Sequence, residues 1–312
     1  MNHYLNIQDI TSLDTWLEKG RELMASPDKY QTLGKGKTLC LLFFNSSLRT
    51  RLSTQRAARL LGLEVMVMNF GAEGWNLELE DGTRMDGNTA EHIREAAGVV
   101  GRYAELIGVR AFAGLKDPET DRAEKILKGF AAYAGVPLLN LESATAHPLQ
   151  ALADALTIAS RQKRKRPRVV LSWAPHPRAL PQAVPNSFVR MMQRMPVELI
   201  ITHPEGYQLD PAQVGDYQPV YDQAAALEGA DFVYAKNWSS FSQYGKVLSQ
   251  DPAWMITAEK LGQAKFMHCL PVRRNVVVED AVLDGAQSLV LEQASNRIIA
   301  AQLALMHMLK AL

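Results

Sequence analysis

The chain has 312 residues, of which 47% are hydrophobic and 21% are charged, and its formal net charge is +1. This length is long for one hydrophobic core and suits two domains, while the composition is that of a globular protein. A net charge so close to zero gives no support to a nucleic-acid or membrane-surface partner. The sequence contains no run of about 18 apolar residues, so no membrane span is predicted.

The N-terminus and the cysteines predict the cellular compartment. The first residues lack a basic region followed by an apolar core, so we expect no secretory signal. The chain has two cysteines, Cys40 and Cys269, too few for a disulfide framework. We therefore expect a cytoplasmic protein.

Short apolar runs alternate with longer amphipathic stretches along the chain. In the first half, strands are predicted at Thr38–Phe44, Glu64–Met68, Leu106–Val109 and Val136–Leu139, and helices near Thr54–Leu61, Ala90–Tyr103 and Arg122–Tyr133. In the second half, strands are predicted at Val169–Trp173, Leu199–Thr202, Phe232–Ala235, Phe266–Cys269 and Ser288–Leu291, and helices near Pro148–Arg161, Pro181–Arg194, Tyr221–Glu228 and Gln293–Leu312. This alternation predicts an α/β fold with two doubly wound, parallel-sheet domains, at residues 1–147 and 148–292.

The segment Ser47–Arg51 is a candidate anion site. It lies between a predicted buried strand and a predicted helix, where free backbone N–H groups and the positive end of the helix dipole attract anions. Its hydroxyl and guanidinium groups suit a phosphate dianion, because Arg can hold phosphate with two parallel hydrogen bonds. By itself the pattern is more often that of an ordinary helix N-cap than of a phosphate site.

Two other segments partly resemble nucleotide-binding or nucleic-acid-binding sites, but neither is predicted to be one. Gly34–Thr38 ends like a P-loop, but it precedes a predicted strand instead of following one, so ATP binding is not predicted there. The basic run Arg161–Arg168 contains no aromatic residue, and we interpret it as a solvated helix end.

Three ordered motifs identify a family. Ser47–Arg51 reads S-L-R-T-R, His147–Gln150 reads H-P-L-Q and His268–Pro271 reads H-C-L-P. In this order and at these distances they resemble the transcarbamylase family, over nearly the whole chain. Trp173–Arg178 and Ala235–Trp238 resemble the branch that acts on N-acylated ornithine, in contrast to ordinary ornithine transcarbamylase.

The resemblance implies a reaction and a set of residues for it. In this family a carbamoyl group moves from carbamoyl phosphate to an amine, without a metal or other cofactor, in the cleft between the domains. Arg110, His147, Gln150 and Cys269 are the implied catalytic residues. The implied contacts to carbamoyl phosphate are these four and Ser47, Leu48, Arg49, Thr50, Trp75, Leu270 and Arg297. The family also implies that the last helix, 293–312, packs back on the first domain.

The second substrate is implied by residues that differ from the ordinary ornithine enzymes. Two carboxylates of a substrate could be bound by the basic side chains of Lys236, His176 and Arg273. Glu142 could bind the δ-amino group of the substrate, and Asn186 could form a hydrogen bond with its amide. Ala90 stands where N-acetyl enzymes carry Glu and N-succinyl enzymes carry Pro. Because Ala90 lacks the charge that repels a succinyl carboxylate, we expect N-succinylornithine as the substrate, with N-acetylornithine as the alternative.

The resemblance also implies a homotrimer in which Trp75 reaches a neighbouring subunit's site. The partners expected are therefore small-molecule substrates and copies of the same chain. Two other hypotheses stay open: a nicotinamide oxidoreductase, which would need the G-x-G-x-x-G motif that is missing after every predicted strand, and a regulatory homologue that binds carbamoyl phosphate without turnover.

Overall fold

The computed structural model describes residues 2–312. They form two compact units, and three of the points at which the chain passes from one unit to the other fall inside helices. The first unit contains the residues up to Gly114, Glu119–Leu149 and Arg297–Leu312. The second unit contains Leu115–Pro118 and Gln150–Asn296.

The first unit is built on a parallel sheet. Its strands are β1 (Thr38–Phe43), β2 (Glu64–Asn69), β3 (Leu77–Glu78), β4 (Glu91–His92), β5 (Leu106–Arg110) and β6 (Leu138–Glu142). Its helices are α1 (Leu13–Ala25), α2 (Arg49–Leu60), α3 (Phe70–Glu73), α4 (Ile93–Tyr103), α5 (Pro118–Ala123) and α6 (Lys125–Tyr133), with a 3₁₀ turn at Ile7–Asp9. The main sheet has the order β2-β1-β5-β6, and β3 and β4 form a separate pair.

The strand order of the first sheet places a topological switch point between β1 and β5. From β1 the chain moves outward to β2 and later returns to the other side of β1 at β5, so the loops after these two strands diverge. Phe43 pairs with Arg110 across this junction, at the carboxyl end of both strands. Ligands of open α/β sheets bind at such an edge.

The second unit repeats this design. Its strands are β7 (Arg168–Trp173), β8 (Glu198–Thr202), β9 (Phe232–Lys236) and β10 (Lys265–Met267), in the order β10-β9-β7-β8. Its helices are α8 (Ala183–Met192), α9 (Pro211–Val214), α10 (Gln223–Leu227), α11 (Ala258–Leu261) and α12 (Asp280–Leu283), with a 3₁₀ turn at Pro252–Trp254. The helices α7 (Pro148–Arg161) and α13 (Val290–Met308) each include residues of both units, and the first residue of α5, Pro118, belongs to the second unit. The switch point lies between β7 and β9, where Trp173 pairs with Lys236.

Continuous apolar strands build both cores. In the first unit, Leu42, Ile107 and Leu138 are fully buried against Phe130 of α6. In the second unit, Val170, Val233 and Phe266 are fully buried in a corresponding cluster. Strands that are buried on both faces carry such uninterrupted apolar runs, and the predicted α/β fold with parallel sheets is confirmed.

The strand predicted at Ser288–Leu291 is wrong. Ser288 forms one isolated bridge to Phe266, and Leu289 N–H donates to Phe266 C=O at 2.8 Å. Helix α13 begins at Val290, and Leu291 is 76% exposed. The short apolar run resembles a buried strand, but its residues continue the helical spacing of the stretch that follows.

Among the predicted elements whose bounds differ, two have a clear local cause. The helix predicted at Arg122–Tyr133 is divided into α5 and α6 by Glu124, whose φ is +47°. The Glu124 carboxylate accepts hydrogen bonds from the Thr145 N–H and hydroxyl at 2.9 and 2.8 Å, which holds this residue out of the helix. The strand predicted at Phe266–Cys269 ends at Met267, because the His268 N–H donates to the Gln293 side chain instead of a strand.

No helix among residues 2–312 is both long enough and apolar enough to cross a membrane.

Candidate active site

The segment Ser47–Arg51 includes the first turn of α2. The helix begins at Arg49, five residues before the predicted start, and Leu48 occupies the N-cap position without a side-chain cap hydrogen bond. Leu48 is 66% exposed, whereas Thr50 is buried. The first-turn N–H groups are therefore not capped by a side chain of the N-cap residue, and an anion suits this helix end.

The carboxyl ends of β5 and β6 supply the charged groups of the first unit. Val109 pairs with Asn140, but the next residue, Arg110, pairs with Glu142, because the register shifts at this point. A bulge of this kind turns a side chain toward a new direction and is frequent beside active sites. Here it sets Arg110 beside Glu142, and the two buried side chains form an ion pair.

A buried hydrogen-bonded group surrounds this ion pair. The Thr50 hydroxyl accepts from Arg297 Nη2 at 2.6 Å and from Arg110 Nη1 at 3.4 Å. His147 Nε2 lies 3.2 Å from Glu142 Oε2 and 3.4 Å from Arg297 Nη2. Five residues that the sequence assigned to the site thus converge within the first unit.

Neighbouring residues of the motif have structural contacts. Arg51 Nη2 donates to Asn69 Oδ1 at 2.6 Å, and its guanidinium group lies 5.1 Å from the centre of the Phe43 ring. Arg51 therefore fastens α2 to the sheet. The Arg110 guanidinium group lies 4.2 Å from the centre of the Phe112 ring, which limits the orientations of this side chain.

Trp75 and Ala90 lie in a separate, exposed part of the first unit. Trp75 is 55% exposed, and its indole N–H donates to Glu91 Oε2 at 3.0 Å. The Ala90 N–H donates to the Asn76 C=O at 3.1 Å, so the two ends of this segment are held together. Neither Trp75 nor Ala90 belongs to the buried group around Thr50.

Basic side chains follow the strands at the switch point of the second unit. His176 follows β7, and Lys236 is the last residue of β9. Lys236 is largely buried and makes no ion pair with a residue that the structure describes. An incompletely solvated ammonium group of this kind suits an anionic ligand.

His176 orients Arg273. Its Nε2 accepts a hydrogen bond from Arg273 Nε at 3.1 Å, and its Nδ1 lies 2.9 Å from the Arg178 C=O. Burial lowers the pKa of His176, and the nearby Arg273, Lys236 and Arg178 lower it further. The Arg178 N–H also lies 3.1 Å from Nδ1, so both ring nitrogens of His176 are already in contact with protein groups. The groups left to donate to a carboxylate are therefore Lys236 and the Arg273 Nη atoms.

The adjacent Arg274 has a different use. It forms hydrogen bonds to Asp280 and Asp284 at 2.7–2.8 Å, and these contacts lower the pKa of both carboxylates. Arg274 thereby fixes the loop from which Arg273 extends. Asn186 is buried on α8.

Gln150 belongs to another buried group of the second unit, which reaches the residue before Cys269; Cys269 is buried and Leu270 is partly buried. Gln150 Nε2 donates to Asp154 Oδ1 at 2.7 Å, and Gln293 Nε2 donates to the same oxygen at 2.6 Å. Gln293 Oε1 accepts from the His268 N–H at 3.0 Å, directly before Cys269. The sequence reasoning missed Asp154 and Gln293. Only Asp154 had a signal, since it follows Gln150 by one helical turn.

Two families of known domains match the chain. Residues 2–160 match "Aspartate/ornithine carbamoyltransferase, carbamoyl-P binding domain". Residues 181–309 match "Aspartate/ornithine carbamoyltransferase, Asp/Orn binding domain". Together the matches include the whole first sheet, three strands of the second sheet (β8, β9 and β10) and all candidate site residues except His176.

Curated relatives and solved structures agree with these matches. The chain is 48% identical to the N-succinylornithine carbamoyltransferase of Bacteroides thetaiotaomicron, over 100% of each chain. It is 36% identical to the N-acetylornithine carbamoyltransferase of Xanthomonas axonopodis pv. citri, over 96% of this chain and 94% of the relative.

The solved structures include a glutamate-to-alanine mutant of N-acetyl-L-ornithine transcarbamylase, complexed with carbamyl phosphate and N-succinyl-L-norvaline. It is 36% identical to this chain, with a TM-score of 0.90 over 98% of this chain and 99% of that one. An acetylornithine transcarbamylase complexed with acetylcitrulline has a TM-score of 0.88 at the same identity. The chain is a carbamoyltransferase and belongs to the aspartate/ornithine carbamoyltransferase family.

Proposed function

We propose that this carbamoyltransferase transfers the carbamoyl group of carbamoyl phosphate to the δ-amino group of N-succinyl-L-ornithine. The products are N-succinyl-L-citrulline and phosphate, and we assign the reaction to arginine biosynthesis. The observation that carries the proposal is the buried group at the start of α2, a helix end that can bind an anion. Arg110 and Arg297 both donate to the Thr50 hydroxyl there, and His147 lies beside Arg297. The relatives that share 48% of its residues over the full length are named for this substrate.

The proposed chemistry needs positioning and charge stabilisation. The δ-amine attacks the carbonyl carbon, a tetrahedral oxyanion forms, and the C–O bond to phosphate breaks as the amine proton passes to the departing phosphate. The phosphate would be held by Ser47, the Leu48 backbone, Arg49, Thr50 and Arg297. Arg110 and His147 would donate to the carbonyl oxygen, where fixed donors stabilise the charge that develops in the transition state.

The position of Glu142 supports a role with the attacking amine. Its contacts to Arg110 and His147 both involve Oε2, which leaves Oε1 for a substrate amino group. When carbamoyl phosphate binds, the single His147 Nε2–H would pass from Glu142 to the carbonyl oxygen, and the Glu142 carboxylate, still paired with Arg110, would hold the amine beside that carbonyl. Near-attack positioning of this kind can supply much of the barrier reduction in a two-substrate reaction.

The succinyl group is proposed from charge. Lys236 and the Arg273 Nη atoms are donors for two carboxylates, the α-carboxylate and the one that a succinyl group adds. A relative of the N-acetyl type, in which a glutamate is replaced by alanine, has been solved with N-succinyl-L-norvaline, and this chain carries the uncharged Ala90 where we place that glutamate. Asn186 would bond the amide of the acyl group. N-acetylornithine stays the second candidate, since the N-acetyl relatives share 35–36% of the residues.

We also propose a homotrimer in the cytoplasm. The exposed Trp75 indole would reach the carbamoyl phosphate site of a neighbouring copy. Both cysteines are buried, and neither forms a disulfide with a described residue, which is the usual state in a compartment that keeps thiols reduced.

The substrate is tested by measuring ureido product from carbamoyl phosphate with equal concentrations of N-succinylornithine, N-acetylornithine, ornithine and aspartate. Strong preference for N-succinylornithine is the expected result. Preference for N-acetylornithine would retain the mechanism and overturn the role of Ala90. No product with any amine, together with measurable binding of carbamoyl phosphate, would favour the regulatory homologue.

A further inference from the structure

Side chains join the loops that follow β7 and β9 at the switch point of the second unit. The last ladder pair is Trp173 with Lys236, and one more backbone bond follows, from the Ala174 N–H to the Lys236 C=O at 3.2 Å. Beyond it, Asn237 Nδ2 donates to the Ala174 C=O at 2.7 Å, and the Trp173 indole N–H donates to the Trp238 C=O at 3.1 Å. Loops diverge at a switch point, so these two side-chain bonds hold the backbone together where the ladder ends.

Both side-chain bonds are buried. Trp173, Ala174 and Trp238 are fully buried, and Asn237 is 3% exposed. The Trp238 indole N–H donates in turn to the Tyr207 C=O at 2.7 Å. A hydrogen bond is electrostatically stronger in such low-dielectric surroundings than in water. Together the Asn237–Ala174 and Trp173–Trp238 bonds form a switch-point clamp.

The Asn237 amide uses only one of its two ends in this clamp. A carbonyl oxygen can only accept a hydrogen bond, so the Ala174 contact requires the amide nitrogen on that side and leaves Oδ1 on the other. Oδ1 is buried and receives no hydrogen bond from a residue that the structure describes. An unpaired buried oxygen lowers stability, which offsets what the bond to Ala174 contributes. Stability alone therefore does not explain why an asparagine stands here.

The switch-point clamp joins the two backbone segments that carry basic groups. Lys236 directly precedes Asn237, and Ala174 is two residues before His176. His176 Nε2 accepts a hydrogen bond from Arg273 Nε at 3.1 Å. Holding Ala174 against Asn237 thus holds the backbone of Lys236 against the backbone of His176 and, through the imidazole ring, orients Arg273.

We propose that Asn237 is a positioning residue that fixes the separation between Lys236 and the His176–Arg273 pair, so that the site favours a substrate with two carboxylates over one with a single carboxylate. This inference rests on the proposed function, in which Lys236 and Arg273 bind the α-carboxylate and the succinyl carboxylate. A ligand with one carboxylate can be held by either donor. A ligand with two needs both donors within the span of its own carboxylates, and preorganised donors bind it at a lower entropic cost.

The test is Asn237→Leu, which keeps a side chain of similar size and removes the donor to the Ala174 C=O. With saturating carbamoyl phosphate, KM for N-succinylornithine should rise roughly tenfold, the equivalent of one weakened hydrogen bond to a charged group, and KM for N-acetylornithine by at most about threefold. The dissociation constant for N-succinyl-L-norvaline, which has no δ-amine, should rise together with KM for N-succinylornithine. The kcat value should change less, because Arg110 and His147, the proposed donors to the carbonyl oxygen, lie in the first unit.

The matched control is Gln287→Leu, which removes another side-chain amide that donates to backbone carbonyls of the second unit. Gln287 Nε2 contacts the Gly262 and Ala264 C=O groups at 2.8 and 2.9 Å, just before β10 begins. Asn237 follows the end of β9, and β9 and β10 are parallel, so the two amides lie at opposite edges of the sheet. The control should keep the wild-type ratio of the two KM values.

A second variant, Asn237→Ala, tests the same bond if Asn237→Leu does not fold. The smaller side chain leaves space for a water molecule that can bond to the Ala174 C=O. The same change in the KM ratio is expected, because a water molecule does not tie Ala174 to the backbone of residue 237.

Three outcomes would overturn the inference. The first is an unchanged KM ratio in a folded Asn237 variant, and the second is an equal change in the ratio in Gln287→Leu, which would indicate general loosening of the unit. The third is failure of both Asn237 variants to fold, which would assign this residue to the fold. Failure of the proposed function is distinguishable, because the wild-type protein would then form no ureido product from N-succinylornithine or would prefer N-acetylornithine.

Discussion

Arg110 and Glu142 are buried beside His147, so removing one charge affects both the chemistry and the fold. Loss of one fixed oxyanion donor typically costs about 2.7–4 kcal/mol of barrier, a factor of roughly 10²–10³ in turnover. Leaving a buried charge without its partner costs about 3–5 kcal/mol of stability. The effect on turnover and the effect on stability can be separated by comparing a variant that lacks one of the two charges with a variant that lacks both.

We predict that Arg110→Gln loses both turnover and stability, whereas Arg110→Gln combined with Glu142→Gln regains stability without regaining turnover. The double variant carries no unpaired buried charge, but the donor for the carbonyl oxygen is still missing. Urea unfolding midpoints and kcat measure the two effects. Near-normal kcat in the single variant would remove Arg110 from the mechanism.

Ala90 is an exposed residue, so substitution there should change specificity without disturbing the fold. A carboxylate about 4 Å from a succinyl carboxylate costs about 1–4 kcal/mol, depending on the effective dielectric constant. We therefore expect Ala90→Glu to lower the ratio of kcat/KM for N-succinylornithine to that for N-acetylornithine by tenfold or more. Ala90→Gln is the control, since it has the same size without the charge. If both variants behave alike, size and not charge decides at this position.

At the scale of elements, α4 shows how closely helices of the first unit pack. A Cβ atom built on Gly101 would lie 1.8 Å from the Ala134 C=O, whereas one built on Gly98 would lie 4.0 Å from its nearest neighbour. Both glycines are in the same helix. At Gly101 the end of α4 packs directly against the backbone at the end of α6. An added methyl group there would have to displace backbone atoms, which move less easily than a flexible side chain.

Gly101→Ala should therefore destabilise the protein by about 1–3 kcal/mol, the usual cost of overpacking. Gly98→Ala should be neutral or stabilising by up to about 1 kcal/mol, because Ala favours a helix interior more than Gly does. The thermal unfolding midpoints of the two variants provide the comparison. A stable Gly101→Ala protein would mean that α4 and α6 can separate at little cost.

The limits of prediction at this scale have a physical cause. Apolar runs identified the strands but ended too early, at Val109, Leu139 and Ala235, whereas the strands continue to Arg110, Glu142 and Lys236. Hydrogen bonding between strands depends on the backbone and not on side-chain polarity, so each strand continues into the polar residues that carry the candidate functional side chains. The motifs thus indicated the candidate site residues, while hydrophobicity could not assign them to strands.

Contacts across long sequence distances were not predictable. The Asp154–Gln293 bond joins residues 139 positions apart, and neither residue has a local pattern that identifies the other. The register shift that pairs Arg110 with Glu142 also depends on the assembled sheet. For the same reason the apolar run Ser288–Leu291 was mistaken for a strand, since only the folded chain determines which partner its backbone meets.

At the scale of the whole molecule, the proposed trimer makes each site depend on two copies of the chain. Trp75 is 55% exposed, so Trp75→Ala should leave the copy folded and impair the site of its neighbour. His147→Ala impairs the copy's own site. A ring of identical, head-to-tail contacts lets one variant supply what the other lacks.

Mixing these two inactive variants should therefore restore activity. If equal amounts dissociate and reassemble at random into trimers, about three quarters of the trimers are mixed and each mixed trimer has one intact site, which gives about a quarter of the wild-type activity. The measurement is ureido formation before and after reassembly, with each variant reassembled alone as the control. Activity that stays at the sum of the two parents would contradict shared sites, because a site built from one copy gains nothing from a neighbour.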